Sequence, residues 1–236
     1  MNASTFTIVS DLDDTLKISH TTNRLKTVFR GLFMHHAYAG MSELFQEWVG
    51  DREFVLMSSS PNAILPLIHG FLTRHLFPKR QIWLRDWFKQ PNIRKYKTDQ
   101  LKRLIEKIPG PYILVGDDSE WDPEVFSRFR EQHPEKVLAV YIRRMRGRPL
   151  PEGVTSFHTA FELALEELKA GRLKISQVAR VGKAILDEKN PDFVIPYFAV
   201  SPPGMSGEVF PGLQNLQNSL HERLIKIHLS HKKDDR

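Results

Sequence analysis

Two aspartates stand two positions apart directly after the first apolar run of the chain. Asp11 and Asp13 follow the run at 6–9 and belong to residues 10–16, which read SDLDDTL. Side chains at positions i and i+2 lie on the same side of an extended strand, so both carboxyl groups can face one substrate. One then serves as a nucleophile and the other as a proton donor. Such a pair is suited to phosphoryl transfer through an aspartyl-phosphate.

A second acidic cluster follows the fourth apolar run, where residues 116–122 read GDDSEWD. Hard divalent cations, Mg²⁺ above all, bind one or two carboxylates together with substrate phosphate and water. We therefore predict Asp11 and Asp117 as side-chain ligands of Mg²⁺. Asp122 directly precedes Pro123 and is open to two interpretations, a further metal ligand or the N-cap of the helix that begins there.

A serine cluster follows the second apolar run. Ser58 is expected to donate a hydrogen bond to a phosphoryl oxygen, and we assign Ser59 and the backbone amides of the next turn to the same phosphate. The alternative is that the three serines at 58–60 only cap a helix introduced by Pro61. Both interpretations hold together if Ser60 is the cap and Ser58 faces the site.

Lys97 precedes a helical stripe that includes Leu101 and Leu104, and its spacing places it on the same inward face. An unpaired buried ammonium group is costly, so an inward lysine requires an anionic partner. We assign Lys97 to the substrate phosphate and to the Asp11 carboxylate. Lys95 falls off the stripe and is expected in solvent.

Short apolar runs alternate with segments of helical periodicity along the first part of the chain. We predict five strands, at 6–9, 54–57, 81–85, 112–115 and 137–142. This alternation predicts an α/β fold, a doubly wound Rossmann-like parallel sheet in the order 3-2-1-4-5. The polar clusters after strands one, two and four then meet at the edge where such sheets bind ligands.

The pattern changes near residue 150, where no further strand with a polar end is predicted. We expect a catalytic domain over 1–149, with a small helical cap near 17–50, and a helical C-terminal extension over 150–236. Within the extension we predict helices at 157–168 and 175–186, a Pro-rich loop or lid at 190–212, a last helix with an apolar stripe over 213–227, and a frayed tail at 231–236.

The amino-acid composition excludes several kinds of functional site. The 236 residues include no cysteine, which excludes disulfides, thiolate zinc sites and cysteine nucleophiles and fits a reducing compartment. The N-terminal residues show no basic segment followed by a long apolar core, and no run approaches the ~18 apolar residues of a membrane span. We expect a soluble, cytoplasmic protein.

The formal charge of +6 and the basic run RRMRGR at 143–148 would attract an anion, although a solvated loop explains the run equally well. No basic stretch is interleaved with aromatic residues, so nucleic acid is not favoured as a partner. The run and the last helix, with Arg223 and Lys226, lean towards peripheral contact with an anionic membrane. Docking of that helix against the domain or a partner subunit is the alternative, and the sequence leaves the oligomeric state open.

The order of the motifs resembles the haloacid dehalogenase superfamily of phosphohydrolases: DxDxT at 11–15, Ser58, Lys97 and Gly116-Asp117. Residues 5–145 further resemble the catalytic domain of actin-patch-type phosphatidate phosphatases. The segment GDDSEWDPE at 116–124, His133-Pro134 and Ile142-Arg143 fit that pattern. One departure is Asp118, where the family usually has serine, which leaves open whether Asp118 or Asp122 supports the metal.

The resemblance implies a magnesium-dependent phosphatase. In the family mechanism Asp11 attacks phosphorus, while Asp13 protonates the leaving alcohol and later activates water. The backbone carbonyl of Asp13 joins the Asp11 and Asp117 carboxylates around Mg²⁺, and Ser58 and Lys97 neutralise phosphoryl charge. The implied substrate is phosphatidate or a related lipid phosphate.

Two alternatives remain open from the sequence. A soluble phosphomonoester, such as a sugar phosphate, a nucleotide or a nucleic-acid end, keeps the chemistry and changes the substrate. A non-hydrolytic phospho-acceptor domain or binding module also places acidic residues, a hydroxyl and a lysine on a doubly wound sheet. In phospho-acceptor domains the accepting aspartate usually follows the third strand, whereas here Asp13 stands beside Asp11 after the first and can supply the proton transfer that turnover requires.

Overall fold

A computed structural model describes residues 6–19, 36–108, 110–205 and 208–234. These residues form one parallel sheet of six strands in the order β3-β2-β1-β4-β5-β6. The strands are β1 (Thr7–Ser10), β2 (Phe54–Pro61), β3 (Gln81–Arg85), β4 (Tyr112–Asp117), β5 (Val137–Arg143) and β6 (Thr155–Phe157). The predicted α/β class and the order of the first five strands are confirmed.

The sixth strand was not predicted. It is three residues long, pairs with β5 at the sheet edge, and buries only Phe157. The sequence prediction counted Phe157 as the first residue of a helix, but that helix begins at Ala160. Thr159 is its N-cap and Glu162 completes a capping box, which sets the start one turn later than the apolar stripe indicated.

Helices cover both faces of the sheet. They are α1 (Met41–Val49), α2 (Leu65–Arg74), α3 (Ile93–Lys107), α4 (Asp122–Gln132), α5 (Ala160–Lys169), α6 (Ile175–Asp187), α7 (Pro191–Val194) and α8 (Gln214–Asp234). A 3-10 turn, Asn62–Ile64, precedes α2. Helix α8 continues through most of the segment predicted as a frayed tail. Within the described residues, no helix combines the length and apolarity needed to cross a bilayer.

The two faces of the sheet carry separate apolar cores because side chains alternate along each strand. One core joins Val9, Val55 and Leu114 to helices α3 and α4. The other joins Ile8, Leu56 and Ile113 to helices α1, α2, α5, α6 and α8. This second core runs across residue 149, and α1, which lies inside the predicted cap segment, is part of it. Residues 20–35 of that segment lie outside the described residues, so the cap and the domain division stay predictions.

We predict a pH-dependent stability effect at the start of α5. The Glu162 carboxylate accepts hydrogen bonds from the Thr159 amide (2.9 Å) and the His158 amide. Burial raises the pKa of Glu162, but the His158 side chain and these amides outweigh it, so the pKa lies below its usual 4.5. The stabilisation is therefore present above pH 4.5 and is lost as the pH falls through the lowered pKa.

Glu162→Gln should lower the free energy of urea unfolding by about 1 kcal/mol at pH 7. The difference from the unmodified chain should shrink below pH 4.5. The control is Glu166→Gln in the same helix, because among the described residues the Glu166 carboxylate pairs with the half-exposed Lys169 alone. Equal losses for both variants, or a loss at Glu162 that does not change with pH, would contradict this account of the capping box.

Candidate active site

The site lies where the strand order reverses, between β1 and β4. Asp11 follows β1 directly, and its amide donates to the Val115 carbonyl of β4 at 2.9 Å. Asp117 is the last residue of β4. Open parallel sheets bind ligands in the crevice at such a switch point, outside the carboxyl ends of the strands. The fold thus brings the two acidic motifs together at this carboxyl edge.

Three buried carboxyl groups and one buried ammonium group form the centre of the site. Asp11, Asp117 and Asp122 each offer an oxygen within 4.8 Å of the others. Lys97, 1% exposed, reaches in from α3 and donates to Asp11 Oδ1 at 3.0 Å and to Asp122 Oδ1. The predicted pairing of Lys97 with Asp11 is present in the structure. If all four groups are ionised, three negative charges face one positive charge.

The N-cap interpretation of Asp122 was wrong. Trp121 is the N-cap of α4, with no capping hydrogen bond from its side chain, and Asp122 is the first helical residue. The carboxylate of Asp122 faces Lys97 and is fully buried. The structure therefore places Asp122 in the acidic cluster.

Burial and mutual repulsion shape the charge of the cluster. Burial raises the pKa of Asp11; Lys97 lowers it, and the charges of Asp122 and Asp117 raise it again. Burial and Asp122 likewise raise the pKa of Asp117. Burial alone would lower the pKa of Lys97, but Asp11 and Asp122 raise it above its usual 10.5. The excess of buried carboxyl groups favours a bound cation.

The cluster fits a hard divalent cation such as Mg²⁺ on three counts. Its donors are carboxylate oxygens, the ligand type that this ion prefers. The Asp117 carboxylate is oriented by hydrogen bonds from Thr15 Oγ1 (3.0 Å) and the Ser119 amide (2.7 Å). Asp122 Oδ2 is buried without a hydrogen-bond partner among the described residues. A buried oxygen in this state is costly unless a ligand satisfies it.

Gly116 lets the Asp122 carboxyl group reach the cluster. A Cβ built on Gly116 would lie 2.7 Å from Asp122 Cβ and 2.8 Å from Asp122 Cγ. Asp122 Cβ is fixed by the main chain and cannot swing away as the end of a flexible side chain could. The backbone at the end of β4 and in the first turn of α4 would therefore both have to move. The close approach of these two elements therefore requires glycine at this position.

Gly116→Ala should weaken Mg²⁺ binding about 10- to 100-fold, measured by calorimetry, because it displaces one carboxyl group of the cluster. The matched control is Gly70→Ala in α2, where an added Cβ meets nothing within 4 Å. That substitution should leave metal binding unchanged and stabilise the helix slightly. Unchanged Mg²⁺ affinity in Gly116→Ala would contradict the expectation that Asp122 helps to hold a metal ion.

Asp13 lies apart from the three-carboxylate cluster and is partly open to solvent. Its carboxylate accepts hydrogen bonds from Ser19 Oγ at 2.6 Å and Ser60 Oγ at 2.8 Å, and Lys17 Nζ lies 3.7 Å away. The prediction that Ser60 caps a helix was wrong, because β2 continues through Pro61 and α2 begins at Leu65. The sequence prediction missed both hydroxyl groups that hold Asp13.

A left-handed turn carries the chain away from β1 after Asp13. Asp14 has a φ of +57°, its amide donates to the Lys17 carbonyl at 2.7 Å, and its side chain accepts from the Ser19 amide at 2.9 Å. Aspartate is among the few non-glycine residues that adopt this conformation readily. The turn brings Ser19 to Asp13, and the aspartate directly after Asp13 is a sequence signal that could have indicated it.

Ser58 and Ser59 lie at the same carboxyl edge, as predicted. Ser58 is fully buried, and its Oγ accepts from the Ser60 amide at 3.1 Å. Ser59 Oγ donates to Glu120 Oε2 at 3.1 Å. The assignment of both residues to a substrate phosphate remains a prediction.

Much of the basic run at 143–148 is structural. Arg143 is buried, with its guanidinium carbon 3.9 Å from the centroid of the Tyr38 ring and 4.8 Å from that of Phe157. Its Nε donates to the Thr15 carbonyl at 3.1 Å. Since Thr15 also holds Asp117, Arg143 supports the cluster from behind. The sequence prediction missed this role.

Asp118 serves this basic loop and lies outside the three-carboxylate cluster. Its carboxylate accepts from the amides of Met145 (2.6 Å), Arg146 (2.6 Å) and Gly147 (3.0 Å). The Asp118 carbonyl also accepts from Arg148 Nε at 2.8 Å. Of the two acidic residues that the sequence left open for the metal, the geometry favours Asp122.

Comparison with known proteins identifies the family of this chain. Residues 6–144 match the family described as phosphatidate phosphatase APP1, catalytic domain. This chain belongs to that family. Phosphatidate phosphatase APP1 of Saccharomyces cerevisiae is 27% identical over 149 residues, which cover 58% of this chain and 25% of the yeast protein. The chain thus matches about a quarter of its APP1 relative, and the predicted resemblance to phosphatidate phosphatase catalytic domains is confirmed.

Among solved structures, a chain in the "Structure of Pnkp1/Rnl/Hen1 complex" is similar with a TM-score of 0.40 and 17% identity. The similarity covers 65% of this APP1-family chain and 46% of that chain. Similarity of this extent carries no argument about function.

Proposed function

We propose that this chain is a Mg²⁺-dependent phosphatase of the haloacid dehalogenase type. It hydrolyses a phosphomonoester through an aspartyl-phosphate on Asp11, and phosphatidate or a related lipid phosphate is the substrate class. The observation that carries the proposal is the buried cluster of Asp11, Asp117 and Asp122 around Lys97, at the switch point of a member of the APP1 catalytic-domain family.

In the first half-reaction, Asp11 attacks phosphorus and the bond between phosphorus and the leaving alcohol breaks. Lys97 holds Asp11 in place by its hydrogen bond at 3.0 Å and offsets charge on the transferring group, with Ser58. Asp13 gives its proton to the alcohol oxygen. Hydrogen bonds from Ser19 and Ser60 fix the Asp13 carboxyl group for that transfer.

In the second half-reaction, Asp13 takes a proton from water, the water oxygen attacks phosphorus, and the bond to Asp11 breaks. Inorganic phosphate leaves and both aspartates regain their starting states. Asp11, Asp117 and Asp122, with the Asp13 backbone carbonyl, would hold Mg²⁺, which when bound neutralises charge on the phosphoryl oxygens. The partial exposure of Asp13 supports this exchange with water.

The lipid substrate is supported by family membership and by the yeast relative, whose name states phosphatidate phosphatase activity. The match covers a quarter of that relative, so the substrate of this chain requires its own test. The proposed location is the cytoplasm, where the protein meets its lipid at a membrane surface. The cysteine-free sequence is consistent with this location.

The test compares phosphate release from phosphatidate in mixed micelles with release from a panel of soluble phosphomonoesters. We expect phosphatidate to have the highest kcat/KM, with activity lost in a chelator and restored by Mg²⁺. Efficient turnover of a soluble ester with no lipid hydrolysis would refute the lipid substrate. A stable phospho-protein that never turns over would refute the proposed phosphatase activity.

A further inference from the structure

Five large apolar side chains are exposed at the carboxyl edge of the sheet. This apolar rim consists of Leu65, Leu67, Trp87, Phe88 and Trp121. The two leucines begin α2 after β2, Trp87 and Phe88 follow β3, and Trp121 follows β4. Phe88 is 100% exposed, Leu67 46% and Trp87 42%. Exposed apolar groups concentrated in this way mark an interaction surface, whereas single exposed residues are ordinary.

The apolar rim is joined directly to the proposed active site. Trp87 Nε1 donates to the Ser59 carbonyl at 3.0 Å, next to Ser58. Trp121 immediately precedes Asp122 of the acidic cluster. Whatever covers the rim therefore lies against the entrance to the carboxyl cluster.

Positive side chains are interleaved with the apolar rim. Arg94 lies over the Trp121 ring, with its guanidinium carbon 5.2 Å from the ring centroid. Lys89 follows Phe88, and Lys95 follows Arg94. Both lysines are exposed and make ion pairs with Asp86 and Asp99 at 3.7 and 2.6 Å, but exposed pairs of this kind are weak and rearrange readily.

We propose that the apolar rim inserts into the surface of a membrane that contains anionic phospholipids. Tryptophan and phenylalanine enter the boundary between headgroups and acyl chains, while Arg94, Lys89 and Lys95 meet the lipid phosphates. Charge complementarity favours this occupant, because exposed Arg94, Lys89 and Lys95 lie beside the rim and the formal charge of the whole chain is also positive, at +6. This insertion rests on the proposed function, because its purpose is to bring headgroup phosphates to Asp11.

Vesicle sedimentation tests the membrane contact without catalysis. The probes are vesicles of phosphatidylcholine alone and of phosphatidylcholine with phosphatidylserine; phosphatidylserine is a phosphodiester and offers no monoester for hydrolysis. Binding of the full chain should require the anionic lipid. Phe88→Ser should weaken it about tenfold, because a buried aromatic side chain contributes about that much to partitioning.

The matched control is Leu138→Ser. Leu138 is also exposed but lies at the amino end of β5, on the opposite edge of the sheet. Vesicle binding should be unchanged in this variant. Turnover of a soluble aryl phosphate should be unchanged in both variants, since the exposed Phe88 ring lies outside the catalytic cluster.

Absence of binding to either vesicle, or equal binding by Phe88→Ser and the unmodified chain, would overturn the proposal. Dissociation of a dimer by Phe88→Ser, with vesicle binding unchanged, would identify a second copy as the occupant instead. Because phosphatidylserine binding requires no turnover, failure of the phosphatase proposal would appear separately, as inactivity towards every monoester.

Discussion

Asp11→Asn should lower kcat for any phosphomonoester by several orders of magnitude, because it removes the proposed nucleophile. The amide keeps the shape of the side chain, so the fold should remain intact. The loss of one buried negative charge should also make the metal-free chain at least as stable as the unmodified one, since burial and two neighbouring carboxylates raise the pKa of Asp11. Steady-state phosphate release and urea unfolding in a chelator measure the two effects.

Asp99→Asn provides the matched control for that substitution. Asp99 lies on α3, two residues from Lys97, and forms a surface pair with Lys95. Its replacement should change neither kcat nor stability by a measurable amount. Asp11→Asn with near-normal turnover would contradict the assignment of the nucleophile, and a strongly destabilised Asp11→Asn chain would contradict the account of the cluster's excess negative charge.

Lys97→Met should reduce the free energy of unfolding in a chelator by about 3–5 kcal/mol, because it leaves buried carboxylates without their cation. Lys97 is the hydrogen-bond donor to both Asp11 and Asp122, and it is 1% exposed. Methionine fills a similar volume, so the loss reports charge more than packing. Added Mg²⁺ should recover a large part of the stability by supplying positive charge to the same carboxylates.

Lys95→Met is the matched control, because Lys95 lies on the same helix and is exposed as the sequence predicted. Its unfolding free energy should change by less than about 0.5 kcal/mol. The double variant Lys97→Met/Asp122→Asn should be more stable than Lys97→Met alone, since one uncompensated charge has been removed. Equal losses at Lys95 and Lys97, or additive losses in the double variant, would contradict the electrostatic account.

Most of the sheet was predictable because strands β1, β2 and β4 each bury a short apolar run that ends in polar residues. Strand β6 escaped prediction because three residues with one buried side chain carry no alternation. The capping box of Thr159 and Glu162 was a usable signal for the true start of α5. If the capping box is given more weight than the apolar stripe, Phe157 lies outside the predicted helix.

The central residues of the site were predictable because parallel strands bring their carboxyl ends to one edge. That rule predicts that Asp11 and Asp117 lie close together, and helical spacing predicts that Lys97 faces inward; the structure has both features. The supporting contacts depend on turns and long-range packing, which spacing does not encode. Ser60 reaches Asp13 across 47 positions, and Arg143 reaches Thr15 across 128.

The basic run at 143–148 shows how composition misleads when tertiary contacts are unknown. As a sequence, it indicates an anion-binding or solvated loop. In the structure, Arg143 packs against aromatic rings, and the Asp118 carboxylate accepts hydrogen bonds from backbone amides of the loop. Only part of the run, including Arg146, is exposed. The proposed membrane contact depends instead on aromatic residues exposed beside the site, such as Trp87 and Phe88.

Chemical trapping at Asp11 tests the central claim most directly. The chain would be incubated with an aryl phosphate and Mg²⁺, quenched in acid, reduced with borohydride and mapped by mass spectrometry. Borohydride converts an aspartyl-phosphate to homoserine, so homoserine should appear at residue 11. It should accumulate further in Asp13→Asn, where activation of water is lost. Full turnover with no homoserine at residue 11, or homoserine at residue 13 instead, would contradict the account.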